Sequence, residues 1–188
     1  MRRNLALAAA LSAAVALAAC GTKHTTFTGS LKLGKTPEEN YQAGVDELKA
    51  DNFTEAVKFF EYVKTKYPFS KFAALSELRL ADVKFKQDRF LEAAEAYKQF
   101  VQIHPTHEEV DYAEYRSGLS YFKDAPGEFA LFPPAAEKDQ RQAEKAVQVL
   151  TDLVQTRTQS KYLADAKKVL AEAQTRLATT GLVIRDAT

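Results

Sequence analysis

A single cysteine, Cys20, stands among 188 residues, so no disulfide can form within the chain. An excess of either charge is also missing. Lys and Arg number 26 against 25 Asp and Glu, a net charge of +1, and such a balance exerts no strong pull on nucleic acid. Lys58, Lys64 and Lys66 read as a solvated face rather than a nucleic-acid stripe. No G-x-S-x-G nucleophile turn occurs, nor a phosphate-binding loop or a dinucleotide-binding glycine pattern. His104, His107, Glu108 and Glu109 lie close together in sequence, but His104 precedes a turn proline and the two acids suit a helix start. A metal needs three or four convergent ligands, so none is expected here. Asp51 and Glu55 read as turn and cap residues. The expectation is a protein that is not an enzyme and carries no cofactor. Hydrophobic residues make up 46% and charged residues 27%, which is an ordinary globular balance in a chain long enough for one domain with a real core.

What the sequence does contain is an echo. Phe53, Ala56, Phe60 and Pro68 are followed, each 37 residues later, by Phe90, Ala93, Tyr97 and Pro105. Self-similarity at a period of a few tens of residues marks a stacked repeat architecture, in which each unit buries its apolar face only against a neighbour. The functional question then becomes which surface binds which partner.

Helical spacing and cap signals divide the chain further. Thr36, Pro37 and Glu39 open a first helix that ends near Ala50, and Asn52 with Glu55 opens a second over 53–67. Tyr67-Pro68 closes it, because the residue before proline is pushed out of the helical region. Ser70 caps a helix over 71–87, and one over 90–104 follows. Thr106 to Glu109 forms a capping box for 107–124, which Pro126-Gly127 stops. After an insert, the pattern resumes as helices over 140–158 and 161–180, with Gly181 suited to the last C-terminus. The expected fold is all-α, an α-solenoid of about seven helices: three pairs plus a capping helix. Small residues (Gly44, Ala56, Ala81, Ala93, Gly118, Ala146) stand where helices must approach, and large ones (Phe53, Phe60, Phe90, Tyr97, Leu150) fill the space around them. This pattern resembles the tetratricopeptide repeat.

The N-terminus is of another kind. Arg2-Arg3 and the apolar run from Leu5 to Leu17 have the layout of a secretory signal peptide, and the run is short for a membrane span. Leu17-Ala18-Ala19-Cys20 resembles a bacterial lipobox, in which cleavage leaves a lipidated cysteine at the new N-terminus. An ordinary signal peptide with an incidental thiol is the alternative. The domains expected are a signal peptide over 1–19, a flexible tether over 20–35 beginning at lipidated Cys20, a repeat domain over 36–180 and a tail over 181–188. Gly21 after the cysteine, by resemblance to sorting rules, implies the outer membrane, with the domain on its periplasmic face.

Stacked helix pairs present an inner face lined by the first helix of each pair. The residues expected there are Tyr41, Val45, Leu48, Leu78, Asp82, Phe85, Tyr115, Leu119 and Phe122, a mixture suited to an extended peptide or a helix of another protein. Each apolar member also fits the inter-repeat core. The insert from Gly127 to Asp139 carries Phe129 and Phe132, which serve either a partner or the adjacent helices.

Taken together, the lipobox, Tyr41-Gln42-Ala43-Gly44, Phe53-x-x-Ala56 through Tyr67-Pro68, and Tyr112-Ala113-Glu114-Tyr115-Arg116-x-Gly118 resemble the lipoprotein subunit of the outer-membrane β-barrel assembly machinery (BamD type). That resemblance implies a non-catalytic scaffold. Its partners would be the barrel-forming subunit and unfolded outer-membrane proteins, and its membrane contact the lipid on Cys20. Members of that family continue for about two more helix pairs. The resemblance therefore implies a chain short at its C-terminus, where the family contacts the barrel subunit. The alternative keeps the fold and changes the partner, to a pilotin-like lipoprotein serving a secretin or another envelope complex.

Overall fold

A computed structural model describes the backbone of residues 32–126 and 140–186, with side chains as far as Thr179. Cys20, Phe129 and Phe132 lie outside the described residues. Seven helices and no strand occur among the described residues: α1 (Pro37–Lys49), α2 (Phe53–Lys66), α3 (Lys71–Lys86), α4 (Phe90–Ile103), α5 (Val110–Asp124), α6 (Arg141–Thr156) and α7 (Leu163–Asp186). Consecutive helices pack against each other. In addition α1 meets α3 and α5 meets α7, which puts the first helices of successive pairs in one layer. This is the all-α, tetratricopeptide-like solenoid that the 37-residue echo called for.

The turns obey the same period. Helix α1 closes with Asn52 N–H on the Glu47 carbonyl (2.9 Å) and Asp51 N–H on that of Leu48 (3.3 Å); α3 closes with Arg89 on Lys84 (3.0 Å) and Asp88 on Phe85 (3.1 Å). This is the Schellman arrangement, and the left-handed residue it needs is Asp51 in one turn and Asp88 in the other, both at φ 58°. Aspartate tolerates that region better than most residues with a side chain. At the far ends, Tyr67, His104 and Arg157 all leave the helix with ψ near 54–56°. Proline follows only the first two, so the third exit is set by the packing of the pair and not by its sequence.

Several caps differ from expectation. Thr36 Oγ1 accepts from Glu39 N–H (3.1 Å), but the Glu39 carboxylate reaches past the cap residue to Lys35 N–H (2.7 Å). Asn52 makes no cap; its amide donates backward to Glu47 (2.8 Å). Helix α5 starts at Val110, three residues later than the Thr106 box predicts, and its entry is held by Glu109 N–H on His107 Nδ1 (3.1 Å). Gly181 does not end α7, which runs on to Asp186 through residues expected to be a tail. The last residues of the expected tether are also held. Gly34 exchanges hydrogen bonds with the buried Asn40 side chain (2.9 and 3.1 Å), and the Lys35 carbonyl accepts from Tyr67 Oη (3.2 Å).

The close approaches are where the small residues predict them. A Cβ on Gly44 would lie 2.7 Å from Phe60 Cε1, and one on Gly118 would lie 2.6 Å from Leu150 Cγ. Ala56, Ala81, Ala93 and Ala146 are wholly buried, as are Phe60, Tyr97 and Leu150. Burial of each large apolar side chain contributes about 1.5–3 kcal/mol. Two clusters centre on Phe60 with Val83, and on Leu78 with Tyr97 and Phe100; two more centre on Tyr121 with Ala146, and on Leu150 with Leu153 and Val169.

Candidate functional site

The inner layer holds a hollow of about 370 Å³ between α1, α3 and α5, lined by Tyr41, Val45, Leu48, Lys49, Arg79, Asp82, Lys86, Tyr112 and Arg116. Its floor is a buried carboxylate. Asp82 Oδ1 accepts from Tyr97 Oη (2.5 Å) and Tyr112 Oη (2.6 Å), and Oδ2 pairs with Arg79 one helical turn away. Arg79 Nε donates on to Tyr41 Oη (3.2 Å). Arg116 Nε donates to Tyr97 Oη (3.2 Å), and its guanidinium lies 3.6 Å from the centre of the Phe85 ring. Lys86 spans from α3 to the end of α1, reaching Asp51 (2.6 Å) and the Leu48 carbonyl (3.3 Å).

The electrostatics follow from that packing. Burial, and after it the Asp82 anion, push the Tyr97 and Tyr112 hydroxyls well above the ordinary phenol range, so both stay neutral donors. Burial works against charge on Arg79, but Asp82 and the Tyr41 hydroxyl outweigh it and keep the guanidinium charged. Arg116 is likewise raised: burial opposes its charge, and the Tyr97 and Tyr112 oxygens more than restore it. Arg79 and Arg116 thus face the buried carboxylate, while Lys49 and Lys86 at the rim pair with Asp46 (3.6 Å) and Asp51 (2.6 Å). The groups are tied to each other, and none is a nucleophile beside a base. The arrangement can hold a polar, electron-rich chain against a rim of tyrosines.

Four of the nine inner-face residues (Tyr41, Val45, Leu48 and Asp82) meet in this hollow. Phe85 sits at its margin beneath Arg116. Leu78 does not belong to it: this side chain is fully buried in the core against Tyr97, because α4 covers that face of α3. Tyr115, Leu119 and Phe122 line a second hollow of about 290 Å³ between α5 and α7, with Lys123, Asp165, Lys168, Val169 and Glu172. The residues that apolar spacing misses are the cations. A signal for them exists in the repeat: Arg79 returns as Arg116, and Lys49 as Lys86 and Lys123, each 37 residues on. His104 and His107 are engaged locally. His104 Nε2 lies 2.8 Å from Glu77, and His107 Nδ1 serves the α5 entry. No group of three or more His, Cys, Asp or Glu is gathered for a metal among the described residues.

Several proteins are similar to this chain in sequence. The outer membrane protein assembly factor BamD of Neisseria gonorrhoeae is 32% identical over 159 residues, which cover 83% of this chain and 60% of that protein. BamD of Caulobacter vibrioides is 28% identical over 160 residues, covering 85% of this chain and 49% of the relative. BamD of Vibrio cholerae is 24% identical over 152 residues, covering 80% and 63%. The chain thus spans about half to two thirds of the length of these relatives. Among solved structures, MamA from Desulfovibrio magneticus shares 19% identity at a TM-score of 0.49 over 80% of this chain and 77% of its own, a likeness too slight to add to what the helices show. The family described as YfiO, outer membrane lipoprotein, matches residues 34–186, the whole of the folded domain. On that match, across every helix described above, the chain belongs to the YfiO family of outer membrane lipoproteins.

Proposed function

We propose that this protein is a non-catalytic scaffold of the outer-membrane β-barrel assembly machinery. It is held to the periplasmic face of the outer membrane by lipid on Cys20, and its inner face receives extended segments of unfolded outer-membrane proteins. The observation that carries the reading is the hollow over Asp82. It is preformed, rimmed by tyrosines and cationic, and its polar groups are locked together and not poised for a reaction. An unfolded barrel strand alternates apolar side chains with polar ones. Such a chain can lay backbone carbonyls and acidic side chains against Arg79, Arg116 and Lys49, and aromatic or aliphatic ones against Tyr41 and Val45. Kinship with assembly factors supports the same reading, and none of the relatives above favours the secretin-serving alternative.

A photo-reactive residue in place of Val45 tests the hollow directly. It is expected to cross-link to a urea-unfolded outer-membrane barrel protein diluted into buffer, whereas the same residue at Leu91, on the opposite layer, is not. Equal yields at both positions would overturn the reading. Lys49→Glu, at an exposed rim position, is expected to lower the Val45 yield several-fold. For the anchor, Cys20→Ser is expected to move the protein from the membrane to the soluble fraction. Membrane retention without acyl mass on the mature N-terminus would refute it. Co-purification from detergent extract is expected to recover the barrel-forming subunit; a secretin recovered in its place would count against the assembly role.

A further inference from the structure

One side chain of the described domain is fully out of the fold: Phe69, which buries nothing against any neighbour. It sits in the turn that joins α2 to α3, closed by Ser70 N–H on the Tyr67 carbonyl (2.9 Å). The same turn recurs twice, closed by His107 on His104 (3.0 Å) and by Ser160 on Arg157 (3.0 Å). At the equivalent place those turns carry Thr106 and Gln159. A large apolar residue therefore departs from the pattern in one turn of three, at a site where it contributes nothing to packing.

That turn is also the one where the chain enters the domain. The Lys35 carbonyl is bonded to Tyr67 Oη (3.2 Å), two residues from Phe69, and Leu33 beside it is exposed. The charges around it are Lys32, Lys35, Lys66 and Lys71, all exposed, against Glu38 and Glu39. Glu39 is already engaged by Lys35 N–H. None of the four lysines is in an ion pair among the described residues; Lys71 lies instead over the Phe72 ring at 5.1 Å. Lys35 lies 15 positions after Cys20, a separation that spans at most about 50 Å when extended.

We propose that this edge of the domain rests on the membrane, with Phe69 entering the interfacial layer and Lys66 and Lys71 meeting anionic headgroups. The inference rests on the lipid anchor proposed above. A chain fixed to the bilayer at Cys20 keeps this edge within reach of the surface, so a weak second contact becomes intramolecular. An aromatic ring flanked by lysines is the composition that such a surface selects. The contact fixes the orientation of the domain. The turns joining one pair to the next face the lipid, the Asp51 and Asp88 turns face away, and the inner hollow opens sideways to chains arriving along the membrane.

The chain contains no tryptophan, so a single one reports its own surroundings. The full mature chain carrying Phe69→Trp is reconstituted in vesicles of phosphatidylcholine and phosphatidylglycerol, beside a chain carrying Leu91→Trp. Leu91 is an exposed residue at the start of α4, on the opposite edge. Emission from position 69 is expected to shift to the blue and to fall about twofold or more with brominated acyl chains, while position 91 does neither. Equal behaviour at the two positions would overturn the proposal. So would a blue shift that needs no vesicles and grows with protein concentration, since a second copy would then be covering Phe69. The mass of the mature N-terminus separates the two readings. An acylated chain with an unquenched tryptophan at 69 refutes the edge contact and leaves the anchor. An unacylated chain quenched on addition of vesicles does the reverse.

Discussion

The hollow between α1, α3 and α5 and the hollow between α5 and α7 are built on the same repeat positions, yet they differ in kind. Val45, Asp82 and Leu119 are successive occupants of one position, 37 residues apart. In the first hollow that position is filled twice, by Val45 on α1 and by Asp82 on α3, a buried carboxylate ringed by Arg79, Tyr97 and Tyr112. In the second it is aliphatic, beside Tyr115 and Phe122, with charge only at the rim from Lys123, Lys168, Asp165 and Glu172. One substitution in a periodic apolar stripe has gathered a polar network from three helices. The scaffold sets where side chains meet, and single departures from the pattern decide what the meeting place can bind.

The largest expected effect comes from forcing the first hollow to resemble the second. Asp82→Leu restores the aliphatic pattern but strands Arg79, and leaves two tyrosine hydroxyls without their acceptor. Breaking a buried pair by removing one partner costs about 3–5 kcal/mol. For a domain of this size that lowers the melting temperature by roughly 10 °C. Adding Arg79→Met is expected to recover part of the loss, since it removes the stranded cation. Thermal unfolding followed by circular dichroism checks both. An Asp82→Leu protein that melts with the wild type would mean that the carboxylate is incidental to the hollow.

Next comes the helix contact beneath each hollow. Gly44 abuts the Phe60 ring and Gly118 abuts the Leu150 branch point, so a methyl added at the two glycines would meet them at 2.7 and 2.6 Å. Alanine gains about 1 kcal/mol in helix propensity. Overpacking a close contact costs about 1–3 kcal/mol. Leu150 is wholly buried and its Cγ cannot swing aside without moving the helix, so for Gly118→Ala the steric cost wins, with a net loss of about 1–2 kcal/mol. At Gly44 the atoms met are the edge of the equally buried Phe60 ring and, at 3.1 Å, Phe59 Cβ; a ring edge yields more readily than a branch point, and Gly44→Ala is expected to lose less. Chemical denaturation of the two variants ranks them. The reverse order would show that the front pair is packed more rigidly than the rear.

Much of this is legible in the residues. The 37-residue echo carries the helix pairs, Pro68 and Pro105 their ends, and Gly44 and Gly118 the close approaches. All are local signals repeated in register. The hollow is only half legible. Apolar spacing finds Tyr41, Val45 and Leu48 but also names Leu78, because an inner-face position and a core position have the same period and only the placement of α4 separates them. Arg79 and Arg116 escape apolar spacing because a charge on a helix reads as solvated. Only their recurrence 37 residues apart marks them in the sequence. The cap at α5 departs from expectation for a physical reason of another sort: Thr106 and Glu109 have the right spacing, but His107 is packed against Phe100 at 5.2 Å and its ring nitrogen takes the N–H instead.

A subtler test uses the buried hydroxyls of the first hollow. Tyr97 and Tyr112 have folded pKa values raised above the ordinary tyrosine value of about 10. Above that pH the unfolded chain gives up these protons before the folded one does, so the folded state binds more protons and stability falls as pH rises. The contribution is complete below about pH 10 and is lost progressively above it. Tyr112→Phe is expected to cost about 1 kcal/mol at neutral pH, the worth of one hydrogen bond, and to make the alkaline decline shallower. Melting temperatures of the two proteins across that range would cross or converge. Parallel curves would place the alkaline sensitivity elsewhere.

The smallest effect compares the clasps that hold the outer turns. Glu77 on α3 meets His104, and Glu114 on α5, 37 residues later, meets Arg157 in a two-pronged contact at 3.0 and 3.1 Å. The Glu114 hydrogen bond and, less strongly, its charge raise the Arg157 pKa, with Asp111 adding to them. Arg157 keeps 36% of its side chain exposed, so solvent screens the pair. An exposed ion pair is worth about 0.2–1 kcal/mol, and the two-pronged geometry puts this one at the upper end. Glu114→Gln is expected to cost about that much in low salt and less in high salt. Glu77→Gln retains an acceptor for the single contact to His104 and should cost less in both. If the two variants show the same salt dependence, the arginine clasp is a packing contact like its neighbour, and the rear turn owes its closure, as Arg157 without a following proline already indicates, to the helices around it.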